Sequence, residues 1–216
     1  MIQIVTGDFR QLSNELANDS VDLVLTDPPY PREYLPLWGD LARIAARVLK
    51  PGGFLVAYSG QVYLDEVMKQ LGEHLAYYYL GGLHHNGATK SIPGRGVYSN
   101  AMKPWLVYAR PPKHRPYKWF IDLLESEAAS EEYHKWGQNV GPCRQLVETF
   151  SRLGNLVFDP FLGGGTTALA CLQTGRDCIG YEINPVTADI ARARLASAQL
   201  PLPMPVVTQE ALAFSF

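Results

Sequence analysis

The residues Asp27-Pro28-Pro29-Tyr30 follow directly on Val21-Asp22-Leu23-Val24-Leu25-Thr26. A Val- and Leu-rich run of that length predicts a buried strand, and the two prolines end it. Neither proline can donate a backbone N–H, and each biases the residue before it toward an extended conformation. Asp27 and the Pro28 carbonyl are therefore expected at the carboxyl end of a strand, with the Tyr30 ring beside them. In open α/β sheets that end is where ligands bind. A carboxylate, a fixed carbonyl and an aromatic face suit a flat heterocycle bearing an amino group: two acceptors for its two N–H bonds and a ring to stack on. A plain strand closed by a Pro-Pro turn accounts for the same four residues equally well.

A second cluster, Asp159-Pro160-Phe161-Leu162-Gly163-Gly164-Gly165-Thr166-Thr167, falls between a predicted strand (Leu156 to Asp159) and a predicted helix (Thr166 to Thr174). Glycines there let backbone approach a ligand closely, and the helix start offers unpaired N–H groups to an anion. About twenty residues further on, Glu182 ends the next predicted strand, at the spacing where an acidic side chain accepts from ribose hydroxyls. A Gly-rich turn with such an acid serves nucleotide-binding dehydrogenases as well. A dehydrogenase, however, has no use for Asp27-Pro28-Pro29-Tyr30.

The elements that must position these clusters alternate. Strands are predicted at Ile2 to Val5, Val21 to Thr26, Phe54 to Tyr58, His74 to Leu80, Lys103 to Arg110, Leu156 to Asp159 and Cys178 to Glu182. Helices are predicted at Phe9 to Leu16, Leu35 to Leu49, Val62 to Leu71, Ile121 to Glu132, from Pro142 onward, at Thr166 to Thr174, and from Pro185, capped by Asn184, to Ala198. Gly81 to Ser99 lacks periodicity and is expected to be a mobile loop. Residues 1–200 are expected to form a single α/β domain, a sheet sandwiched between helices, and 201–216, with Pro201, Pro203 and Pro205, an extended tail.

Composition narrows the classes. The chain has 216 residues, 47% of them hydrophobic, enough for one well-packed domain. It contains no run of eighteen apolar residues, so no membrane span is expected. The first residues enter a strand with no charged leader, and three scattered cysteines (Cys143, Cys171, Cys178) in apolar surroundings read as core thiols of a cytoplasmic protein. No metal is expected, because the adjacent His84 and His85 suit phosphate or solvent better than a metal. The net charge of −2 hides an asymmetry: no acidic residue lies between Glu73 and Asp122. That interval includes Lys90, Arg95, Lys103, Arg110, Lys113, Arg115 and Lys118, the footprint of a polyanion-binding surface.

With both clusters in hand, the chain resembles the S-adenosylmethionine-dependent, amino-methylating DNA methyltransferases over roughly Met1 to Ala198. Asp27 to Tyr30 is similar to that family's catalytic motif, and Asp159 to Thr167 to its cofactor motif. Because the catalytic motif comes first, the chain resembles the family's beta arrangement, a circular permutation of the common fold. The resemblance implies a Rossmann-like, mostly parallel seven-stranded sheet with one antiparallel strand, helices on both faces, and the N-terminal strand at the edge beyond the Glu182 strand. It implies Asp27, Pro28, Pro29 and Tyr30 as catalytic residues. For S-adenosylmethionine, which leaves as S-adenosylhomocysteine, it implies Asp8, Asp159, Pro160, Phe161, Gly163, Gly165, Thr166, Thr167 and Glu182. Arg32, His84, His85, Lys90, Arg95, Lys113, Arg115 and Lys118 are the expected DNA contacts. Lys135-Trp136-Gly137-Gln138-Asn139 stands where the family has a Lys-Pro. The recognition segments, 81–99 and 111–135, are short, so relaxed specificity, or completion by a second copy or a specificity partner, is expected.

The expected reaction is methyl transfer to the exocyclic N6 of a flipped-out adenine. The amine is a poor nucleophile while its lone pair is delocalised, so Asp27 and the Pro28 carbonyl must localise it, and Tyr30 stacks on the base for roughly 1–3 kcal/mol. Asp in the first motif position favours adenine in this family. Cytosine N4, an RNA base or a protein glutamine is the alternative acceptor, and a non-catalytic nucleic-acid-binding module retaining the fold the different-class alternative.

Overall fold

The computed structural model describes residues 1–85, 90–92, 97–126 and 140–199. Arg95, the Lys135 to Asn139 segment and the tail lie outside these, and of His85 and Lys90 only the backbone is described. Among the described residues, ten strands and six α-helices follow in chain order: β1 (Ile2–Thr6), α1 (Phe9–Leu12), β2 (Val21–Thr26), α2 (Pro36–Val48), β3 (Leu49–Tyr58), α3 (Leu64–Gly72), β4 (Ala76–His85), β5 (Lys90–Ile92), β6 (Val97–Asn100), β7 (Met102–Ala109), β8 (Leu123–Ser126), α4 (Val140–Phe150), β9 (Leu156–Asp159), α5 (Thr166–Thr174), β10 (Asp177–Glu182) and α6 (Pro185–Gln199). Eight strands make one sheet in the order β1-β10-β9-β2-β3-β7-β4-β8, with β5 and β6 as a separate antiparallel pair.

Within that sheet β7 alone runs antiparallel to its neighbours, β3 and β4. Alternation along each strand builds two cores. Leu23, Leu25, Phe54 and Val56 face α4, α5 and α6, whereas Val24, Leu55 and Ala57 face α1, α2 and α3. From β2 the chain winds outward to β3, and from β9 it winds the other way to β10, yet β2 and β9 are paired neighbours. Their carboxyl ends therefore flank a topological switch point, with helices leaving to opposite faces. Asp27 and Asp159 stand there.

The structure corrects three expectations. Leu123–Ser126 is strand β8, parallel to the end of β4, rather than part of a helix. Leu124 is buried and its neighbours outward, a two-residue period that the acidic surroundings obscure. Gly81 to His85 continues β4 instead of opening a loop, and two further short strands follow. Among the described residues the sheet thus has eight strands rather than seven, the eighth being β8. Where the expectations hold, local chemistry decided them: Asn184 Oδ1 accepts from Val186 and Thr187 to start α6, and Gly175 closes α5 at φ 71°.

Gly81 is what lets β4, β7 and β8 meet. A Cβ there would collide with the indole of the fully buried Trp105 and lie 2.7 Å from the Asp122 carbonyl, which accepts from the Gly82 N–H at 2.7 Å. Gly81→Ala should lower stability by about 1–3 kcal/mol through overpacking. Gly72→Ala, at the end of α3 with nothing within 4 Å of the added carbon, should be neutral or stabilise by about 0.4–1 kcal/mol. Urea unfolding of the two variants beside wild type checks the contrast.

Candidate active site

The last residue of β2, Thr26, is buried and donates from Oγ1 to Asp159 Oδ1 at 2.7 Å. The Phe161 N–H donates to the same oxygen at 3.0 Å. Asp159 is buried, and burial pushes its carboxyl up to about 6, against the opposing pull of hydrogen bonds from Thr167, Thr26 and the Phe161 amide. One residue beyond Thr26, Asp27 lies at the mouth of a cleft of about 190 Å³ that Asp159, Phe161, Gly163, Thr166 and Tyr58 also line. Sequence reasoning placed both carboxylates, and the structure brings them into one cleft.

Around Asp27 the structure shows more than the sequence did. The Tyr30 hydroxyl donates to Asp27 Oδ1, so this tyrosine aims the carboxylate besides offering its ring. Burial and the neighbouring carboxylate raise the Tyr30 phenol far above its ordinary value, and it stays a donor. From the start of β7, Lys103 Nζ donates to Asp27 Oδ2 at 2.5 Å. The same ammonium lies 5.3 Å from the centre of the Tyr30 ring and 4.7 Å from that of Tyr58. In sequence, Lys103 is one charge of the basic interval at the start of a predicted strand, and Tyr58 the end of another. No local pattern marks either one, because both reach the cleft through strand pairing.

The glycine turn is built as expected. Gly163 and Gly165 have φ of 52° and 82°, conformations that side chains resist, and a Cβ on Gly165 would press on Ala191 of α6 at 3.0 Å. Glu182 braces the turn, accepting from Gly163 N through Oε2 at 2.9 Å and from Asn184 N through Oε1 at 2.8 Å. Each oxygen keeps a second lone pair for a hydroxyl donor. Beside it Ile183 is 67% exposed, an apolar surface that sequence reasoning passed over. Its signal was an apolar residue directly after the acid at a strand end. Asp8 caps α1 and is held in a fork by Arg10 Nε and Nη2, which lowers its carboxyl value. Pro28 is buried and Pro160 continues the β9 end into the turn. Cys143, at the cleft wall, is a buried thiol pushed up to about 12.

The expected DNA contacts divide between the two ends of the sheet. Arg32 is exposed in the short 3₁₀ turn Arg32–Tyr34 directly after the Asp27 motif. His84, at the end of β4, pairs with Glu125 at 2.9 Å and is in register with Met102, next to Lys103. Lys113, Arg115 and Lys118 are elsewhere. Lys113 Nζ donates to the Tyr77 carbonyl near the start of β4, His114 packs on Gly52 near the start of β3, and Lys118 pairs with Glu148 near the end of α4. From Gly53 to Tyr58 is five residues of strand, so His114, and Lys113 beside it, sit roughly 17 Å from the cleft, whereas Glu148, the partner of Lys118, is five helical residues from the cleft-lining Cys143, about 8 Å along α4. The basic interval is therefore not one face.

The Asp159 environment generates a pH prediction. A carboxyl raised on folding binds its proton more tightly in the folded chain, so it costs nothing below the unfolded value of 3.8 and its full penalty above about 6. At about 1.4 kcal/mol per pH unit the penalty approaches 3 kcal/mol. Relative to wild type, Asp159→Asn should therefore gain stability by roughly that amount between pH 4 and pH 7.5, read from urea unfolding of the ligand-free protein. Equal differences at both pH values would refute the buried, ionised assignment.

Comparison with known proteins adds to this geometry. Residues 118–193 match the family described as DNA methylase. Among solved structures, a putative DNA modification methylase of Thermus thermophilus, complexed with S-adenosyl-L-methionine, superposes with a TM-score of 0.74 at 22% identity, covering 91% of this chain and 94% of that one. The cytosine-N4-specific PvuII DNA methyltransferase superposes at 0.79 with 16% identity, covering 93% and 88%. At such identities these two establish the fold alone. The type II methyltransferase M.MjaI of Methanocaldococcus jannaschii is 39% identical, with 91% of this chain and 92% of that protein aligned. Similarity of that extent means that the chain belongs to the DNA methyltransferases of the N6/N4 type.

Proposed function

We propose that the protein transfers the methyl group of S-adenosylmethionine to the exocyclic N6 of adenine in DNA, with the base turned out of the helix. The observation that carries this reading is the shared cleft: a carboxylate aimed by Tyr30 and Lys103 stands at the mouth of a cavity floored by Asp159 and the glycine turn. The glycine turn and Glu182 fit the cofactor, because positive φ at Gly163 and Gly165 keeps the turn open while Glu182 is held ready to accept from the ribose hydroxyls. Ile183 and Phe161 offer apolar surface to its adenine ring. Asp159, the more deeply buried of the two carboxylates lining the cleft, stands ready to receive its cationic end.

When bound, the cofactor supplies an electrophilic methyl group on a sulfonium and leaves as the neutral thioether S-adenosylhomocysteine. The remaining steps belong to this chain. Asp27 accepts one amine N–H and the Pro28 carbonyl the other, turning the nitrogen lone pair toward the methyl group; positioning of this kind supplies much of the acceleration. Asp27 also lies against the positive charge that grows on nitrogen, and it is the neighbouring acceptor for the proton the methylated amine gives up. Stacking against Tyr30 repays part of the cost of flipping the base. A base inside a duplex cannot reach a cleft this narrow.

Cytosine N4 is the second reading, favoured by the likeness to the cytosine-N4-specific PvuII enzyme. Both targets present an amine to the same pair of acceptors. Incubation with tritiated-methyl S-adenosylmethionine and duplex DNA, single-stranded DNA or RNA, followed by nucleoside analysis, tests the reading. Label is expected in N6-methyladenine of duplex DNA. Label in N4-methylcytosine would replace adenine by cytosine, and label in none of the three would overturn the proposal.

Two variants refine that test. Asp27→Ala should lower methyl transfer by at least a thousandfold while leaving cofactor affinity within about threefold, by titration calorimetry; turnover within tenfold of wild type would end this mechanism. Arg32→Ala, at the cleft mouth, should weaken DNA binding and reduce the slope of log affinity against log salt by about 1, as loss of one phosphate contact requires.

A further inference from the structure

Asp27 Oδ2 and Lys103 Nζ stand side by side, 2.5 Å apart, at the lip of the cleft. One is an acceptor and the other a donor. Lys103 is fixed there by its strand: Gln61 Nε2 donates to the Met102 carbonyl at 3.0 Å, and the Ser59 N–H donates to the Pro104 carbonyl at 2.9 Å. Its side chain is only 13% exposed and lies between Tyr30 and Tyr58. An ammonium has three donors, of which Asp27 uses one, and a carboxylate has about four acceptor positions. Lys103 therefore keeps donor capacity for a ligand beside Asp27.

The bases differ in what borders the exocyclic group on the pairing edge. In adenine and cytosine an amine lies next to a bare ring nitrogen, a donor beside an acceptor. In guanine the amine lies next to a ring N–H, and in thymine a carbonyl does. Only the first arrangement brings an amine to the acceptor, Asp27, while it offers the donor, Lys103, a ring nitrogen that can accept. The complementary base offers that same pattern in the duplex, so a base leaving its partner would find its lost pairing edge reproduced by two side chains.

We propose that Lys103 is a specificity-determining residue that donates to the ring nitrogen beside the target amine, N1 of adenine or N3 of cytosine, while Asp27 accepts from the amine itself. This deepens the methyl-transfer reading and rests on it. It explains how one carboxylate site accepts only amines flanked by an acceptor: a ring N–H facing an ammonium leaves two buried donors opposed, a strongly unfavourable pairing. Paired with Asp27, the ammonium brings no net charge beside the sulfonium. The Asp27–Lys103 edge admits adenine and cytosine alike, leaving the size of the pocket to separate them.

The test removes the ring nitrogen from the base and the donor from the protein in turn. Duplexes carrying the natural target, or the same target with that nitrogen replaced by C–H (1-deazaadenine or 3-deazacytosine), are methylated by wild type, Lys103→Met and Lys103→Gln. Wild type should lose about tenfold to a hundredfold in kcat/KM on the deaza base, the range for a hydrogen bond to a charged group. Lys103→Met should be slowed comparably on the natural base and be indifferent, within threefold, to the deaza change. Lys103→Gln, which keeps a neutral donor, should recover part of the sensitivity and shows that the Met result is not a folding defect; matched melting temperatures support the comparison. A Met variant that keeps the full deaza penalty, or equals or exceeds wild type on the natural base, would overturn the inference while leaving methyl transfer intact. A wild type that methylates no natural duplex would overturn the methyl-transfer reading, and this inference with it.

Discussion

The hydrogen bond from Thr26 to Asp159 holds together everything the cleft requires. It joins the ends of two neighbouring parallel strands that the chain reaches 133 residues apart, and it does so inside the protein, where an unpaired carboxylate would be far too costly. With the Phe161 amide and Thr167 it gives Asp159 enough donors to be tolerated in burial, although not enough to bring it back to an ordinary acidity. The proposed chemical carboxylate and the proposed cofactor carboxylate thus share one scaffold. Asp27 follows Thr26 directly, and Asp159 ends β9 with three residues between it and the glycine turn, so the separation of the two carboxylates is set by strand pairing and not by loops. A site assembled from rigid strand ends holds its geometry better than one assembled from loops.

Around that bond, the protein places oppositely behaving groups on opposite sides. Asp27 is partly exposed and has charged and phenolic donors, whereas Asp159 is enclosed and has neutral ones. The outer carboxylate meets what comes from solvent, and the inner one meets what sits beneath. The glycine turn completes the division, because its positive-φ residues leave room where side chains would fill the cleft, while Glu182 braces it from the neighbouring strand.

Much of this was readable in the residues themselves. Val21 to Thr26 and Leu156 to Asp159 are apolar runs closed by proline, and Gly163 and Gly165 mark a turn that no other residue adopts comfortably. Signals of that kind are local, and they transferred to the structure. What failed to transfer depends on pairing. Leu123–Ser126 sits in an acidic stretch with two adjacent leucines, a helical signature, and becomes a strand because the end of β4 is open beside it. Lys103 meets Asp27 because β7 runs backwards, which brings its first residues rather than its last to the cleft end. Likewise, the acid-free interval reports charge but not place: His84 and Lys103 are at the cleft end, and Lys113 at the other, on the Tyr77 carbonyl near the start of β4.

The reversal of β7 also shapes how such a protein can change. A connection between parallel strands must cross from one end of a sheet to the other, and altering its length disturbs the crossover helix. The connection from β4 to β7 does not cross: it departs at His85 and returns at Met102, both at the rim beside the cleft. Loop closure grows only slowly more costly with length, about 0.6 kcal/mol per doubling. Residues can therefore be added or removed there with Lys103 kept in register and the sheet unaware of the change. That rim is a place where length and composition can change at almost no thermodynamic cost to the sheet that holds the cleft.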